Sequence, residues 1–536
     1  MKRVPPHQLF DVVIRCVVKL FYLSCVDPFY VSLPAQLDRI YRLFAAAADY
    51  CKIVDTPPLS TNLRYGPKYV TPDVPTTFDF SADGGIVRAA ELCAGVGECR
   101  KTRDGNMCPS YRATRDEKDS TRGRANVLRL AMTGQLDLAG LTDHDVKEVL
   151  DLCLECKACK TECPTNVDMA RLKAEFLHQY YRKHGLPWRN WALGNVARLS
   201  QWGSRLALLS NWLARRRALR WLIERTLGID RRRLPPAFET RGFGFIIDCY
   251  MRLHERVSAA EGQGVGDVLL FPDTFVQSYD AVIGFAAVDF CRSMGSRVFL
   301  GVPGDAPVEP DDLVVTGLLC CGRPMISNGM LDQAVQFARR NVERLHPWAA
   351  HGKQIVACEP SCILTIRDDY PALLRGEERR KAEVVAAACQ TFEEFVESVL
   401  ASGAASAPRV LPALTRPGSQ DSPVRRVLVH PHCHQRALVG VGPLMRLMRR
   451  IPGAEVIDLD AGCCGMAGSF GYEKEHYEIS RQIGEQKLFP AIRAASPDDV
   501  IVAPGFSCRL QIEHFTGRKA VHPGELLHSL LEPSAP

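Results

Sequence analysis

The stretch CLECKACKTECP, residues 153–164, decides the fold of this chain. Cys153, Cys156 and Cys159 are each separated by two residues, and Cys163 is followed at once by a proline. Thiolates at this spacing can wrap three corners of a cube of iron and sulfide, while the cysteine of a Cys-Pro pair ligates the other cluster in two-cluster proteins. Zinc knuckles pair two such motifs and do not run three cysteines in a row. The stretch therefore predicts two iron–sulfur clusters.

An upstream cysteine group supplies the remaining ligands. It consists of Cys93, Cys99 and Cys108, and Val96 stands where a second cysteine of the motif would be. By the crosswise rule, Cys108 completes a [4Fe-4S] site with the first three cysteines of the opening stretch, whereas Cys93, Cys99 and Cys163 offer only three thiolates. We expect a [3Fe-4S] cluster at this second site, or a [4Fe-4S] cluster with a non-cysteine fourth ligand.

Helical patterns connect the two groups. One helix is predicted to begin near Asp119-Ser120 and end around Gly134, and another to begin at Thr142-Asp143. Residues 89–181 are therefore predicted to form an α-helical ferredoxin module that carries two clusters.

The C-terminal part repeats a cysteine pattern at similar intervals. The first copy runs Cys291, Cys320, Cys321 and Cys362, and the second runs Cys433, Cys463, Cys464 and Cys508, with a glycine after each adjacent pair. Adjacent thiolates at a turn can face one metal centre, so the copies are predicted to bind metal, with an iron–sulfur cluster favoured. The alternatives are buried structural thiols and a redox disulfide.

The two copies also differ. Cys358 adds a thiol to the first copy, whereas His430, His432 and His434 surround Cys433 in the second. The histidines could ligate a cluster, donate hydrogen bonds to it, or simply pack in a turn. The remaining cysteines belong to none of these cysteine patterns and are predicted to be core thiols: Cys16, Cys25, Cys51, Cys249 and Cys389.

The order of apolar runs and helical segments around the cysteine groups predicts the domains of the chain. Short apolar runs such as Val268–Phe271 and Val298–Leu300 alternate with helical segments such as Leu331–Leu345, and this alternation predicts α/β domains with parallel sheets. The fold class is thus mixed, an α-helical ferredoxin module followed by two α/β domains. The predicted boundaries are an extended arm at 1–88, the module at 89–181, amphipathic helices at 182–240, the first α/β domain at 241–400, a linker at 401–423 and the second α/β domain at 424–536.

The amphipathic helices are rich in arginine and carry five tryptophans. The favoured prediction is that they pack these tryptophans on neighbouring domains, and the alternative is a docking or membrane-surface face. The tryptophans are Trp188, Trp191, Trp202, Trp212 and Trp221.

Composition narrows the class further. The 536 residues suit three or four globular domains, and 21 cysteines clustered in a long chain favour a metalloprotein in a reducing cytoplasm. A net charge of +6, concentrated between Arg182 and Arg233, favours an acidic partner or surface and not nucleic acid. The apolar stretch from Val12 to Val26 contains charges, and no run reaches the roughly 20 apolar residues of a spanning helix, so any membrane contact is predicted to be peripheral, at the inner face.

These residues carry a family resemblance from about residue 50 onward. The chain resembles the C-terminal iron–sulfur half of FAD-linked D-2-hydroxyacid dehydrogenases of the D-lactate dehydrogenase type, and the iron–sulfur subunits of glycolate oxidase and anaerobic glycerol-3-phosphate dehydrogenase. Its repeats resemble the CCG domains of the heterodisulfide reductase B subunit. The matching stretches are ELCAGVGECRKTRDGNMCPSYRATRDEKDSTRGRAN, CLECKACKTECPTNVDMARLK, CCGRPMISNGMLDQA, CEPSC, HPHCHQ and CCGMAGSFGYE.

The resemblance implies an electron-transfer role. A 2-hydroxy acid of the lactate or glycolate type would reduce FAD on a partner oxidase subunit, and electrons would pass through the clusters of this chain to a quinone or cytochrome. The stretch KIVDTPPLSTNLRYGP at 52–67 resembles the exit from the flavin domain in fused relatives, so residues 1–88 are expected to be a remnant of such a domain. No catalytic Ser-His-Asp or paired-carboxylate pattern is present. The alternatives are a disulfide reductase of the heterodisulfide reductase type and a truncated remnant of a fused oxidase.

Overall fold

A computed structural model describes residues 69–103, 105–135, 140–243, 266–300, 320–402 and 426–531. The chain divides into the units Met1–Val70 and Thr71–Pro536, and every element below belongs to the second. Several predicted features lie outside the described residues, namely the arm before residue 69, most of the linker, and the thiols of Cys16, Cys25, Cys51 and Cys249.

The cysteine motifs of the N-terminal module lie between short helices. These are α1 (Ile86–Glu91), α2 (Pro109–Thr114), α3 (Thr121–Met132), α4 (His144–Asp151), α5 (Ala158–Glu162) and α6 (Met169–His184). The Ser120 side chain accepts a hydrogen bond from the Gly123 N–H and caps α3, and Asp143 caps α4 in the same way. Both predicted helices are therefore confirmed, within a residue or two of their expected ends.

Residues just before α1 are part of this packed region. Phe78 and Phe80 are buried, and the Thr77 and Phe78 N–H groups both donate to the Glu175 carboxylate on α6 at 3.0 Å. Two backbone donors are thus held by one buried carboxylate, which anchors the chain ahead of the first cysteine group.

The arginine-rich segment forms α7 (Trp188–Gly194), α8 (Val196–Arg205), α9 (Ala207–Ala214) and α10 (Arg217–Leu227). Its tryptophans are not covered. Trp188 is 77% exposed and Trp202 70%, and Trp191, Trp212 and Trp221 are also largely exposed. The prediction that these tryptophans pack on neighbouring domains was wrong, because each of them leaves at least 42% of its surface exposed.

The first α/β domain contains a parallel sheet with strand order β2-β1-β3-β4. Its elements are β1 (Gly266–Leu270), α11 (Thr274–Ser278), α12 (Ala281–Ser293), β2 (Ser296–Leu300), α13 (Arg323–Ser327), α14 (Leu331–Ala350), β3 (Gln354–Ala357), α15 (Pro360–Asp368), α16 (Tyr370–Leu373), α17 (Gly376–Ala388), β4 (Cys389–Thr391) and α18 (Phe392–Ala401). Leu269, Ile355 and Ala357 are fully buried, as expected of strands covered on both faces.

The second α/β domain repeats this arrangement with strand order β6-β5-β7, again parallel. Its elements are β5 (Arg426–Val429), α19 (Cys433–Leu438), α20 (Gly442–Met448), β6 (Glu455–Asp458), α21 (Tyr477–Glu485), α22 (Leu488–Arg493), β7 (Val500–Val502), α23 (Phe506–Thr516) and α24 (Pro523–Ser529). In both domains the first strand lies between the second and the third, so the duplication extends to topology. The predicted mixed fold class is confirmed.

Candidate iron–sulfur sites

One cavity of the helical module is lined by four thiols. Cys108, at the start of α2, meets Cys153, Cys156 and Cys159, which lie on the loop before α5 and on its first turn. This is the grouping that the crosswise rule predicts. Burial raises the pKa of Cys159 and Cys156, so these thiols would ionise only with a cation to neutralise them. Four soft sulfur donors on a buried cavity fit a [4Fe-4S] cluster.

A second cavity is lined by three thiols and one valine. Cys93, Cys99 and Cys163 converge there, and Val96 lines the wall in place of a fourth cysteine with 65% of its surface exposed. A hydrogen bond from Cys108 lowers the pKa of Cys99 to about 6. Thr121 lines both this cavity and that of Cys108, so the two cavities are adjacent.

The loop before Cys108 is held by Glu162, the last residue of α5. Its carboxylate accepts hydrogen bonds from the Asn106 and Met107 N–H groups at 2.9 Å. Gly105 has a φ of +71°, and a Cβ there would lie 2.6 Å from a Glu162 carboxylate oxygen, so the turn requires glycine. Glu162 lies on α5, within the second cysteine motif, and positions the Cys108-Pro109 pair of the first motif. No pattern in the sequence marks this residue.

The second α/β domain gathers four thiols and a histidine. Cys433 begins α19, Cys463 and Cys464 precede the turn, and Cys508 lies in α23. A hydrogen bond from Cys463 lowers the pKa of Cys433 to about 6, and hydrogen bonds from Cys463 and Cys508 hold the pKa of Cys464 well below its ordinary value. The four sulfur atoms thus form one contact network.

His430 belongs to this cluster. It follows β5, is only 1% exposed, and neither ring nitrogen has a hydrogen-bond partner. Its ligand atom and the sulfur atoms of Cys464 and Cys508 lie within 4.8 Å of one another. A buried imidazole without partners beside thiols is the environment of a metal ligand.

The glycine after each adjacent cysteine pair has a conformational role. Gly465 has a φ of +90°, and a Cβ on it would lie 2.3 Å from the Ser480 carbonyl oxygen of α21. Gly322 has a φ of +79° in the first domain. Both turns therefore favour a residue without a side chain.

The first α/β domain brings together three thiols. Cys321 exchanges hydrogen bonds with both Cys320 and Cys362, and Cys320 is contacted by the Thr274 hydroxyl. Thr274 begins α11 just after β1, as Cys433 begins α19 just after β5. The structural counterpart of Cys433 is therefore Thr274.

The pairing of Cys291 with Cys433 in the repeat was thus wrong. Cys291 lies on the last turn of α12, and burial alone raises its pKa, without any contribution from the adjacent pair. Cys358 follows β3 and shares a buried cluster with Cys291, and burial together with the charges of Asp273 and Glu393 raises its pKa well above its ordinary value. These two cysteines remain candidates only for a role apart from the three-thiol cluster. Cys389 is buried in β4, as expected for a core thiol.

Comparison with protein families agrees with this arrangement. A 4Fe-4S dicluster domain model matches residues 89–167, and a cysteine-rich domain model matches twice, at 297–367 and 427–513. The chain carries a 4Fe-4S dicluster domain and two cysteine-rich domains. These matches support an iron–sulfur electron-transfer role, and the chain is similar to proteins named as dehydrogenases.

Two kinds of relatives cover most of the chain. D-2-hydroxyglutarate dehydrogenase of Escherichia coli K12 is 26% identical over 83% of this chain, and one of the subunits of anaerobic glycerol-3-phosphate dehydrogenase from the same strain is 27% identical over 64%. These matches cover 44% and 77% of the relatives, so the chain spans less than half the length of the first. A probable glycolate oxidase iron–sulfur subunit of Bacillus subtilis is 35% identical over 15% of this chain and 18% of that protein.

The dicluster domain and the second cysteine-rich domain meet at their thiols. Cys156 and Cys433 belong to the same buried cluster, and burial, followed by the charge of Cys433, raises the pKa of Cys156 well above its ordinary value. The His434 Nε2–H donates to the Glu155 carbonyl oxygen at 2.9 Å, and α19 packs against α5. His434 therefore ties the loop of one site to the helix of the other.

The other two histidines next to Cys433 have distinct positions. His430 joins the thiols, whereas the His432 Nδ1 accepts a hydrogen bond from the His434 N–H and caps α19. The three histidines thus divide between candidate ligation, capping and domain contact, and the periodicity of the sequence could not separate these roles.

A buried ionic cluster links the dicluster domain to the first cysteine-rich domain. The Lys157 ammonium is 5% exposed and lies 2.8 Å from Asp368 and 2.6 Å from Asp369. Burial opposes its charge, but the two aspartates outweigh that effect and raise the pKa of Lys157. In the sequence, Lys157 lies between the proposed ligands Cys156 and Cys159, and no motif marks it.

Proposed function

We propose that this chain is the electron-transfer part of an FAD-linked 2-hydroxyacid dehydrogenase. It takes single electrons from FAD held by a partner, after that flavin has oxidised a hydroxy acid of the lactate, glycolate or 2-hydroxyglutarate type. It delivers them to a quinone or cytochrome acceptor. The named activities of the relatives support the class of substrate.

The observation that carries this proposal is the continuity of the thiol sites. Thr121 lines both cavities of the dicluster domain, and α5, which carries Cys159, packs against α19, which begins at Cys433, so three sulfur-lined sites follow one another in the fold. Clusters bound there would supply one-electron redox chemistry.

The residues around the sites keep them rigid and shielded. Glu162 fixes the loop of Cys108, His434 joins the dicluster domain to the second cysteine-rich domain, and Lys157 joins it to the first through Asp368 and Asp369. Most of the proposed ligands are buried, while Cys93 and Cys163 at the three-thiol site and Cys153 at the four-thiol site are partly exposed. The three-thiol site with Val96 has two such thiols and is the proposed entry point for electrons from a partner.

The proposal is tested on full-length protein that is purified and reconstituted without oxygen. Iron and sulfide are measured, and EPR spectra are recorded before and after reduction with a photoreduced flavin. We expect Cys156→Ser to lose about four iron atoms per chain and a reduced [4Fe-4S] signal. Cys389→Ser, a buried thiol outside every site, serves as the matched control and should retain both.

Two results would contradict the proposal. One is folded wild-type protein that contains no iron after reconstitution. The other is a complete set of clusters that reduced flavin cannot reduce.

A further inference from the structure

The loop that leaves the central strand has equivalent positions in the two cysteine-rich domains. It reads Phe271-Pro272-Asp273 after β1 and His430-Pro431-His432 after β5, and each loop leads directly into a helix, α11 or α19. The Phe271 N–H donates to a β3 carbonyl oxygen at 2.7 Å, and the His430 N–H donates to a β7 carbonyl oxygen at 2.8 Å. His430 in the second domain therefore has the structural position that Phe271 has in the first.

Two donor side chains of this region are absent together from the first domain. The second domain has His430 and Cys433 where the first has Phe271 and Thr274, whereas the adjacent cysteine pair and the later cysteine are present in both. Phe271 is 1% exposed and belongs to the same buried cluster as Cys362. A phenyl ring, which cannot bind a metal, thus takes the position at which the second domain has an imidazole. The joint replacement indicates that His430 and Cys433 serve the same metal group.

The surroundings of His430 set it apart from the histidines next to it. His432 caps α19, and the ring of His434 donates to a carbonyl oxygen of the dicluster domain. Both ring nitrogens of His430 are without a hydrogen-bond partner in the described part of the chain, although only 1% of the residue is exposed. Its ligand atom lies within 4.8 Å of the sulfur atoms of Cys464 and Cys508. A bond to iron would satisfy a buried nitrogen that no protein group satisfies.

The charge of a ligand affects how readily an iron–sulfur site takes an electron. A cysteine thiolate carries one negative charge, whereas an imidazole ligand is neutral. Centres in which histidine replaces cysteine on an iron accordingly have higher reduction potentials. The four-thiol site of the dicluster domain is built from cysteines, and α5, which carries Cys159, packs against α19, which begins at Cys433. A site with His430 as a ligand would therefore be the easier of these two neighbours to reduce.

We propose that His430 is an iron ligand of the second cysteine-rich domain and that its neutral imidazole makes this site the one at which electrons from the dicluster domain collect. The proposal rests on the proposed function and gives the electrons a direction within the chain. In each step one electron leaves the reduced dicluster domain and reduces the site that contains His430, and no atom or group is transferred. The first cysteine-rich domain has Phe271 at the equivalent position and cannot form the same site.

The test is pulsed EPR on full-length protein that is reconstituted without oxygen and partly reduced. The signal of the second cysteine-rich domain is identified by its absence in Cys433→Ser. Protein is made with ordinary histidine and with histidine whose imidazole ring carries isotopically labelled nitrogen. We expect a nitrogen coupling in the wild type that changes with the label, because the isotope is placed only in histidine rings.

The variants follow from the comparison of the two domains. His430→Phe introduces the residue that the first domain has at this position, so the fold should accommodate it, and the nitrogen coupling should be lost. His432→Asn removes the neighbouring imidazole but keeps a side chain that can cap α19, so the coupling should persist. His430→Cys exchanges the neutral ligand for a thiolate and should shift the reduction potential of this site downward, while the potentials of the dicluster domain stay the same.

The outcomes separate this proposal from the proposed function. A wild-type signal without a label-dependent coupling, a coupling that persists in His430→Phe, or one that disappears in His432→Asn overturns the ligand. A wild-type potential below that of the dicluster domain, or an unchanged potential in His430→Cys, overturns the collecting role. If His430→Phe loses the iron of this domain and His430→Cys regains it, the residue is a ligand, whereas loss in both variants shows that it shapes the fold and overturns the proposal. Clusters that assemble but that reduced flavin cannot reduce overturn the proposed function and leave the ligand assignment standing.

Discussion

The substitution Val96→Cys tests the three-thiol site most sharply. Val96 lines the same cavity as Cys93, Cys99 and Cys163, at the position where a complete motif has its second cysteine. A thiol there would complete a four-sulfur site, so the cluster should change from [3Fe-4S] to [4Fe-4S] and the protein should gain about one iron atom per chain.

The structure indicates that this change leaves the fold intact. Val96 is 65% exposed, so about a third of the burial energy of a valine is at stake, or about 0.5–1 kcal/mol. Val282 on α12 is 54% exposed and lies away from the cysteine cavities, so Val282→Cys is the matched control for an added surface thiol.

The assay is EPR of the oxidised protein together with iron and sulfide analysis. Wild type and Val282→Cys should show an oxidised [3Fe-4S] signal, and Val96→Cys should lose it and gain a second reduced [4Fe-4S] signal. If the oxidised signal persists in Val96→Cys at an unchanged iron content, Val96 does not occupy the open corner. If the wild type has no such signal and already holds four irons there, the fourth ligand is a residue other than cysteine.

The remaining predictions concern the contacts between domains. Cys433→Ser should lose the iron of the second cysteine-rich domain, whereas Cys291→Ser should keep the full iron content of the wild type. Equal iron losses in the two variants would support the pairing of Cys291 with Cys433 in the repeat. Thr274→Cys should add a fourth thiolate to the first cysteine-rich domain and raise its iron content, and an unchanged content would show that three thiols do not form a site there. Lys157→Met should lower the thermal melting midpoint by up to about 20 °C, because Asp368 and Asp369 lose their most buried cation, at a cost of no more than about 3–5 kcal/mol. Arg171 and Lys160 remain paired with the aspartates and reduce the cost. The control Lys118→Met removes an exposed ion pair with Glu148 and should shift the midpoint by no more than about 4 °C. A similar shift in both variants would show that the buried cluster stabilises the fold no more than an exposed ion pair does.

Features set by local spacing could be predicted from the sequence. The helices capped by Ser120 and Asp143 and the parallel strands followed from short-range patterns. The glycines after the adjacent cysteines were predictable for the same reason, because a tight turn with a positive φ has few solutions.

Features set by distant contacts were missed or misjudged. Counting intervals paired Cys291 with Cys433, since spacing does not reveal that Cys291 lies at the end of a helix and Thr274 at the start of one. The tryptophans of α7–α10 were expected to be covered because an amphipathic pattern defines an apolar face without showing what packs on it. Lys157 could not be found because its partners lie more than 200 residues away.

The hydrogen bond between His434 and the Glu155 carbonyl joins residues 279 positions apart. Ribosomes add about 5–20 residues per second, so about 15–55 s pass between synthesis of the CLEC motif and synthesis of the helix that covers it. During that interval the nascent thiols of the dicluster domain are open to oxygen and to competing metals. Production of active protein should therefore depend on how the cell protects or loads these cysteines during translation, and expression under low oxygen should raise the yield of iron-containing chains.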